Sequence, residues 1–489
     1  MKMNGMRISM SAALGLLVLE GASAADLPEK AKAVEYMKVC TAYGAGYYYI
    51  PGTDTCIKIG GFARLDAYVN AVGTFTPMIT SSADKGFNGP GAGGFGYPFR
   101  DDDDPAYFTR VRGVMNMDAR TQTEFGTLRS YVRFGANWDT QGTAGTGAGS
   151  GLYFERAFIQ FAGFTFGYTQ SFFDPGLSYI FTAPLATSND WTTVAAYTVQ
   201  IGNGFSASLS LEDAANRTTG VQMTGATATP IFNINTVTTG LGYTNFQAGQ
   251  VAPDVVANLR VDQAWGSAQL SGAVHQVTAT APLYTGFFGG LETSNAWGWA
   301  LGAHVEVKLP MLAAGDSFFV QAAYAEGAAN YIGLSASQQA RGTGIGSIEL
   351  TQQGGTLSGT GAYYTIADAV ATSTTGDFGL MSGWAIQGQF RHFWTPGLRS
   401  ALYAGYASYD VPQNIVAAFA FDTWQIGLNT IWSPVKDLDI GVEVLYSKVD
   451  GSVPLGNYAA ISNTGATINS IAGGSADVWS GGMRVQRNF

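Results

Sequence analysis

The sequence predicts an all-β protein, a sixteen-stranded antiparallel transmembrane β-barrel, and three observations carry that prediction. Apolar and polar side chains alternate with period two through run after run of the chain, the signature of strands with two different faces. Charged residues make up only 12% and aromatics 13% of 489 residues, with 65 glycines, yet no stretch of the mature chain holds about 20 consecutive apolar residues. The candidate strands are joined alternately by short and long connections, as in barrels with tight turns on one side of a membrane and long loops on the other.

The chain opens with a targeting segment. Lys2 and Arg7 supply a positive start, Ile8 to Leu19 a short apolar core, and Ala22-Ser23-Ala24 a cleavage site. Residues 1–24 are therefore read as a signal peptide and Ala25 as the first mature residue. The formal charge of −10 becomes −11 once Lys2, Arg7 and Glu20 are removed, and this acidic balance argues against nucleic acid as a partner. Residues 25–56 precede the first strand and read as a periplasmic segment. It contains both cysteines, Cys40 and Cys56. After export they meet an oxidising compartment, which favours a disulfide over two free thiols. A metal site would lack ligands, because no histidine is near.

The barrel proper is placed at 57–489. Its candidate strands are 57–71, 106–120, 127–139, 152–162, 164–173, 191–201, 205–213, 254–264, 268–277, 295–307, 317–326, 382–394, 398–410, 421–433, 438–450 and 476–489, none with an internal proline. Between Gly126 and Asp139, Leu128, Val132, Phe134, Ala136 and Trp138 share one face, and Arg129, Arg133, Asn137 and Asp139 the other. A helix would set Arg110 and Arg112 about 200° apart, whereas a strand puts them side by side. Trp424, Ile426, Leu428 and Trp432, then Leu438, Ile440, Val442, Val444 and Tyr446, form lipid-type faces around a Pro434-Val435-Lys436-Asp437 turn. Another face runs from Trp384 to Trp394 before a Thr395-Pro396-Gly397 turn. A soluble β-sandwich would not expose such faces. The long connections include 72–105, 174–190, 214–253 and 327–381. Phe489 ends the chain on an aromatic in phase with Trp479, Met483 and Val485.

Several segments together resemble alphaproteobacterial outer-membrane porins of the rhizobial and brucella type. They are Val34-Glu35-Tyr36, Val39-Cys40, Tyr43-Gly44-Ala45-Gly46 and Ile50-Pro51-Gly52-Thr53-Asp54-Thr55-Cys56, then Arg156 to Phe164, Asn258 to Gly266 and Trp432 to Lys436. The resemblance implies a homotrimeric general diffusion porin in the outer membrane, among lipopolysaccharide, that passes small hydrophilic solutes. It implies that the third long connection folds inward as the constriction, with Asp174, Pro175, Tyr179, Pro184 and Asp190 on it. It also implies that Phe489 serves as the assembly signal and leaves open a peptidoglycan link at Ala25.

Lumen parity falls to Arg64, Arg110, Arg112, Arg129, Arg133 and Arg156, with Lys58, Asp66 and Asp118 on the same face. Arginine is permanently ionised and costly to face toward lipid. These side chains are thus expected to line water, although each is equally readable as a brace paired with a carboxylate. Asp101 to Asp104 read as a solvated acidic loop tip, with Ca²⁺ or a divalent bridge to lipopolysaccharide as the alternative. His275, His304 and His392 are isolated and lack ligand spacing. No catalytic, cofactor or metal set is expected. The alternatives to a passive channel are an outer-membrane barrel enzyme, for which three histidines offer few chances, and a plugged, envelope-anchoring barrel with little conductance.

Overall fold

The computed structural model describes residues 38–69, 71–72, 76–77, 107–139, 149–181, 186–224, 247–249, 251–282, 291–334, 346–351, 361–372, 378–412, 419–453, 456–461 and 467–489. Residues 1–24, read as a signal peptide, Ala25, Pro184 and the Asp101–Asp104 run lie outside the described residues.

Sixteen strands form a closed antiparallel barrel. They are β1 (Cys56–Val69), β2 (Tyr107–Thr123), β3 (Gly126–Asp139), β4 (Gly149–Phe161), β5 (Phe164–Gln170), β6 (Trp191–Gly202), β7 (Phe205–Glu212) and β8 (Asp254–Gln263). The circuit continues with β9 (Gly266–Pro282), β10 (Leu291–Lys308), β11 (Ser317–Glu326), β12 (Ser382–Thr395), β13 (Leu398–Asp410), β14 (Phe421–Val435), β15 (Leu438–Gly451) and β16 (Thr467–Asn488). Each strand pairs with the next, and β16 returns to β1 with Phe62 opposite Asn488 and Val69 opposite Gly481. Closure matters because an open edge would leave backbone groups without partners in hydrocarbon. Phe489 completes the seam, exchanging backbone hydrogen bonds with Gly61 at 3.0 and 3.1 Å.

The strands occupy the places the alternation predicts, but several run longer. Pro282 closes β9, and Pro434 sits in β14 at a register shift between Trp432 and Val435. Prolines are therefore not absent from the strands. They stand at an end and at an irregularity, where no ladder donor is required.

The outer face carries Ile426, Leu428, Trp432, Val442 and Val444 exposed, as lipid contact requires. Seven aromatics on seven successive strands, Trp299, Tyr324, Trp384, Tyr406, Trp424, Tyr446 and Trp479, form one row. Neighbouring rings within it lie 5.0–5.3 Å apart at Trp299–Tyr324, Trp384–Tyr406, Trp424–Tyr446 and Tyr446–Trp479. Such a row is an interfacial girdle, with rings at headgroup depth.

The inner face is not uniform. Part of it on β8 to β15 carries small or apolar residues, among them Val256, Ala273, Ala300, Ala323, Ala385, Ala407 and Val449. They form one buried cluster with Phe173, Tyr331, Ile332, Leu334, Tyr364, Ile366 and Val370 from the long connections. The connection 327–381 thus contributes core residues to this side of the barrel. Two inner-face glycines make room for aromatics: a Cβ on Gly302 would lie 2.7 Å from the Phe173 ring, and one on Gly441 2.5 Å from Phe181.

Residues 38–56 are ordered against the barrel. Cys40 and Cys56 are joined by a disulfide. Val39 bridges to Tyr48, and Tyr48–Tyr49 pairs with Ile57 and Cys56. Cys56 shares the inward parity of Arg64, so the disulfide ties this segment to the inner side of β1. Arg120 lies over the rings of Tyr47 and Tyr43, at 5.2 and 5.7 Å. A cross-link closing about 15 residues is worth about 3 kcal/mol in the chain-entropy account. Cys40→Ser should therefore loosen residues 41–55 and speed their proteolysis in the folded protein while the barrel persists. Cleavage no faster than in the native chain would contradict that.

Candidate functional site

The six arginines expected on the lumen face lie on one face of the sheet, on four adjacent strands. Cross-strand register sets Arg64 opposite Arg112, Arg120 opposite Arg129, and Arg133 opposite Arg156. A register shift in β4 between the pairs Arg133–Arg156 and Phe134–Phe154 leaves Glu155 as an extra residue. That shift keeps Tyr153 and Arg156 inward while Leu152 and Phe154 stay exposed. Glu155 then reaches Arg133 at 2.5 Å. A strict period of two would have assigned it to lipid, which is why sequence reasoning missed it.

The wall is partly braced. Asp66, fully buried, lies 2.9 Å from Arg64 and 2.6 Å from Arg484. Arg110 meets Asp139 at 2.6 Å. Asp118 accepts from both Arg120 and Arg129. Arg112 donates to Asn137 Oδ1 at 2.8 Å and lies over the Tyr153 ring. Counting Arg484, eight arginines stand on this wall with four carboxylates, Asp66, Asp118, Asp139 and Glu155. Several of these arginines are thus ion-paired, and the wall keeps a positive excess.

The connection 171–190 leaves β5, returns to β6, and is hydrogen-bonded to inner-face side chains of nine other strands, beginning with Glu212 of β7, which accepts from Phe172 N at 2.8 Å. Asn258 of β8 and Gln269 of β9 donate to Phe172 O, at 2.6 and 3.2 Å. Gln321 of β11 donates to Ser188 O, and Gln387 of β12 to Thr187 Oγ1. Tyr179 N donates to Gln389 Oε1 at 2.7 Å, and Asn429 of β14 donates to Tyr179 O at 2.9 Å. Phe181 N donates to Glu443 of β15 at 2.9 Å, and Arg484 of β16 donates to Phe181 O at 3.4 Å. The Tyr179 phenol donates to Glu306 at 2.8 Å and accepts from Ser317. Burial pushes that phenol up to about 12, with Ser317 opposing and Glu306 adding to the rise, so it remains a donor at any physiological pH.

Asp174 and Asp190 mark the two ends of the connection, and both are buried. Asp174 Oδ2 accepts from Asp190 N at 2.7 Å. Arg217, from the connection after β7, is fully buried between them. It donates to Asp174 at 3.3 Å, lies 3.9 Å from Asp190, and also donates to Ser188 and Asn330. Its guanidinium sits 4.2 Å over the Tyr331 ring. Pro175 lies beside a cavity of about 540 Å³ that also touches Leu177 and Glu306.

Burial pushes the Asp190 carboxyl up to about 7, with Arg217 opposing and Asp174 adding to the rise. Its folded value lies above the unfolded 3.8. The group's contribution is therefore fully present below about pH 4 and lost as pH rises through about 7. Docking of this connection should be tighter at about pH 5 than at about pH 8. Hydrogen exchange of 186–190, corrected for intrinsic rates, reads the difference; equal protection at both would contradict it.

His275 is not isolated. Its Nδ1 is 2.7 Å from Asp254 and its Nε2 3.7 Å from Asp368, while Tyr331 donates to Asp254 at 2.6 Å. Asp368 also accepts from Thr219 N and Ala329 N, so it ties two long connections to the wall. His392 meets Asp316 at 2.6 Å. Neither partner was readable from spacing, because each lies far away in the chain.

A family model described as the porin subfamily matches residues 25–481. Porin Omp2b of Brucella canis is 29% identical over 276 residues, covering 54% of this chain and 64% of that protein. The chain thus spans somewhat under two thirds of the length of that relative. Porin Omp2b of Brucella suis is 28% identical over 326 residues, 63% of this chain and 76% of the relative. Among solved structures, the outer membrane channel DcaP of Acinetobacter baumannii superposes with a TM-score of 0.54 at 15% identity, covering 90% of this chain and 99% of DcaP, a likeness of fold. With the family model matched over residues 25–481, this chain belongs to the porin subfamily.

Proposed function

We propose that the chain is an outer-membrane porin, a passive water-filled channel for small hydrophilic molecules and ions. The observation that carries this reading is the 171–190 connection, hydrogen-bonded to inner-face side chains of nine strands it does not adjoin in sequence. Folded across the lumen in this way, it sets the size limit between a polar wall and the arginine wall of β1 to β4. Tyr179 is anchored through its N–H, its carbonyl and its phenol, Pro175 shapes the connection, and Asp174 and Asp190 hold its ends. Pro184 belongs to the same connection. Arg64, Arg110, Arg112, Arg129, Arg133 and Arg156 supply the field that solutes cross. Three copies associate through the apolar outer faces, among lipopolysaccharide, and Phe489 at the seam serves assembly. A peptidoglycan link at Ala25 stays part of the proposal, tested by the mass of sacculus-bound peptides.

A second reading, an envelope-anchoring barrel with little conductance, draws on the apolar cluster on the inner side of β8 to β15. Planar-bilayer recording separates the two. The porin reading expects ohmic steps in groups of three. A folded, inserted barrel that never conducts would favour the anchoring role.

A further inference from the structure

We propose that the connection 327–381 is a second specificity element of the channel: a fixed buttress that fills the β8–β15 side of the lumen, at the end of the long connections, and confines solutes to a one-sided passage beside β2 to β4. The inference rests on the channel reading. It adds to the 171–190 connection a separate size limit, met first from the side of the long loops, which is the outside of the cell in a barrel of this kind. The buttress is anchored at both flanks. The chain leaves β11, and its hairpin of Gly346–Thr351 with Gly361–Ile366 reaches β16, where Gly361–Tyr363 pairs with Gly473–Ser475. On the other flank Ala369–Thr372 runs parallel to Val221–Thr224, in the connection that follows β7. Between these anchors lie β8 to β15, the strands whose inner faces carry the buried alanines and valines. An inner wall can hold such residues there because protein, not water, lies against them.

Wall and connection are shaped to each other. A Cβ on Gly298 of β10 would strike the Gly327 carbonyl, one on Gly383 of β12 would lie 2.6 Å from the Ile332 side chain, and one on Gly451 of β15 would strike the Tyr364 phenol. The buried backbone of the connection finds its partners on the wall, as burial requires. Tyr409 of β13 donates to Ala367 O at 2.9 Å and accepts from Ala367 N at 3.0 Å. The Tyr364 phenol donates to Gly474 O at 2.6 Å. Asp368, fully buried, accepts from Thr219 N at 2.7 Å and from Ala329 N at 2.8 Å. Ile332 O accepts from Thr187 N at 3.1 Å, so the same connection backs the constriction. A segment this closely packed and hydrogen-bonded opens only at high cost. It is therefore a permanent filling and not a moving gate. Across the lumen, Arg133 and Glu155 keep 28% and 24% of their side-chain surface in solvent, which places the water path on that side. The apolar cluster is thus accounted for without sealing the barrel.

The test uses the full-length refolded protein in planar bilayers, its orientation assigned with a tag in the last long connection. Conductance in potassium chloride is recorded first, then with polyethylene glycols of graded mass added to one chamber at a time. A polymer that enters lowers the conductance, and the smallest that does not marks the limit from that side. Two variants are compared with the native chain. In one, residues 328–380 give way to a short glycine turn, which suffices because Glu326 and Ser382 already pair across β11 and β12. In the other, Tyr364→Ala/Asp368→Ala, the connection keeps its length and loses two anchors, and no barrel strand is altered. Both should admit larger polymers from the side of the long connections and leave the limit from the periplasmic side where it was. The double variant alone carries the test if the shortened chain does not fold. An unchanged limit from the long-connection side in a folded variant overturns the buttress and leaves the channel standing. An equal rise from both sides overturns it as well, because that points to a loosened 171–190 connection. A native barrel that never conducts overturns the channel reading, and the second size limit with it.

Discussion

Arg217→Ala should release the 171–190 connection from the wall at a cost of about 3–5 kcal/mol, because breaking a buried ion pair strands the partner charges. Arg217 has no solvent exposure and serves Asp174, Asp190, Ser188 and Asn330 at once. Its removal leaves Asp174 and Asp190 buried side by side without their cation. The loop must then draw in water or protons, or leave. The barrel ladders do not depend on this residue, so the folded band on an unheated gel should persist while single-channel conductance rises and becomes noisier. Arg217→Lys should recover part of the native behaviour by restoring charge without the planar fork. Native conductance and native loop protection in the alanine variant would show that the cation is not the anchor.

Asp66→Ala should strike the barrel itself. Asp66 lies between Arg64 on its own strand and Arg484 on β16, its cross-strand neighbour. That neighbour belongs to the strand that closes the circuit, so one buried carboxylate bridges two arginines at the seam. Its loss leaves both cations facing each other in a desolvated position, again about 3–5 kcal/mol for a broken buried pair. The expected readout is a lower midpoint for loss of the compact gel band on heating, with Asp66→Asn intermediate. An unchanged midpoint would mean that water already screens the seam. A third substitution on the same wall, Asp118→Ala, should cost less, because Arg120 and Arg129 keep over a quarter of their side-chain surface in solvent.

Much of this architecture is legible in the chain because a strand's period of two fixes which face each side chain takes. Trp424, Ile426 and Leu428 had to face lipid, and Arg110, Arg112 and Arg133 had to face inward, before any coordinates. Parity does not report partners. Arg217 and Asp368 lie in long connections and His275 within β9, and their contacts join positions 21 to 149 residues apart. The inner-face glycines Gly302 and Gly441 were visible as residues, but only the folded loop shows that Phe173 and Phe181 need their space. Glu155 was hidden by a register shift that breaks the alternation, and residues 38–56 were placed ahead of the barrel because nothing in their sequence says that Cys56 faces inward.

The central claim is that a conducting lumen is limited by the 171–190 connection. Recording single-channel conductance of the native chain beside a variant in which Gly176–Phe181 is replaced by two glycines tests it directly. The account predicts that the native protein conducts and that the shortened variant, still folded and inserted, gives larger steps and admits larger neutral sugars in liposome swelling. Equal steps and an equal exclusion limit in the two proteins would contradict it.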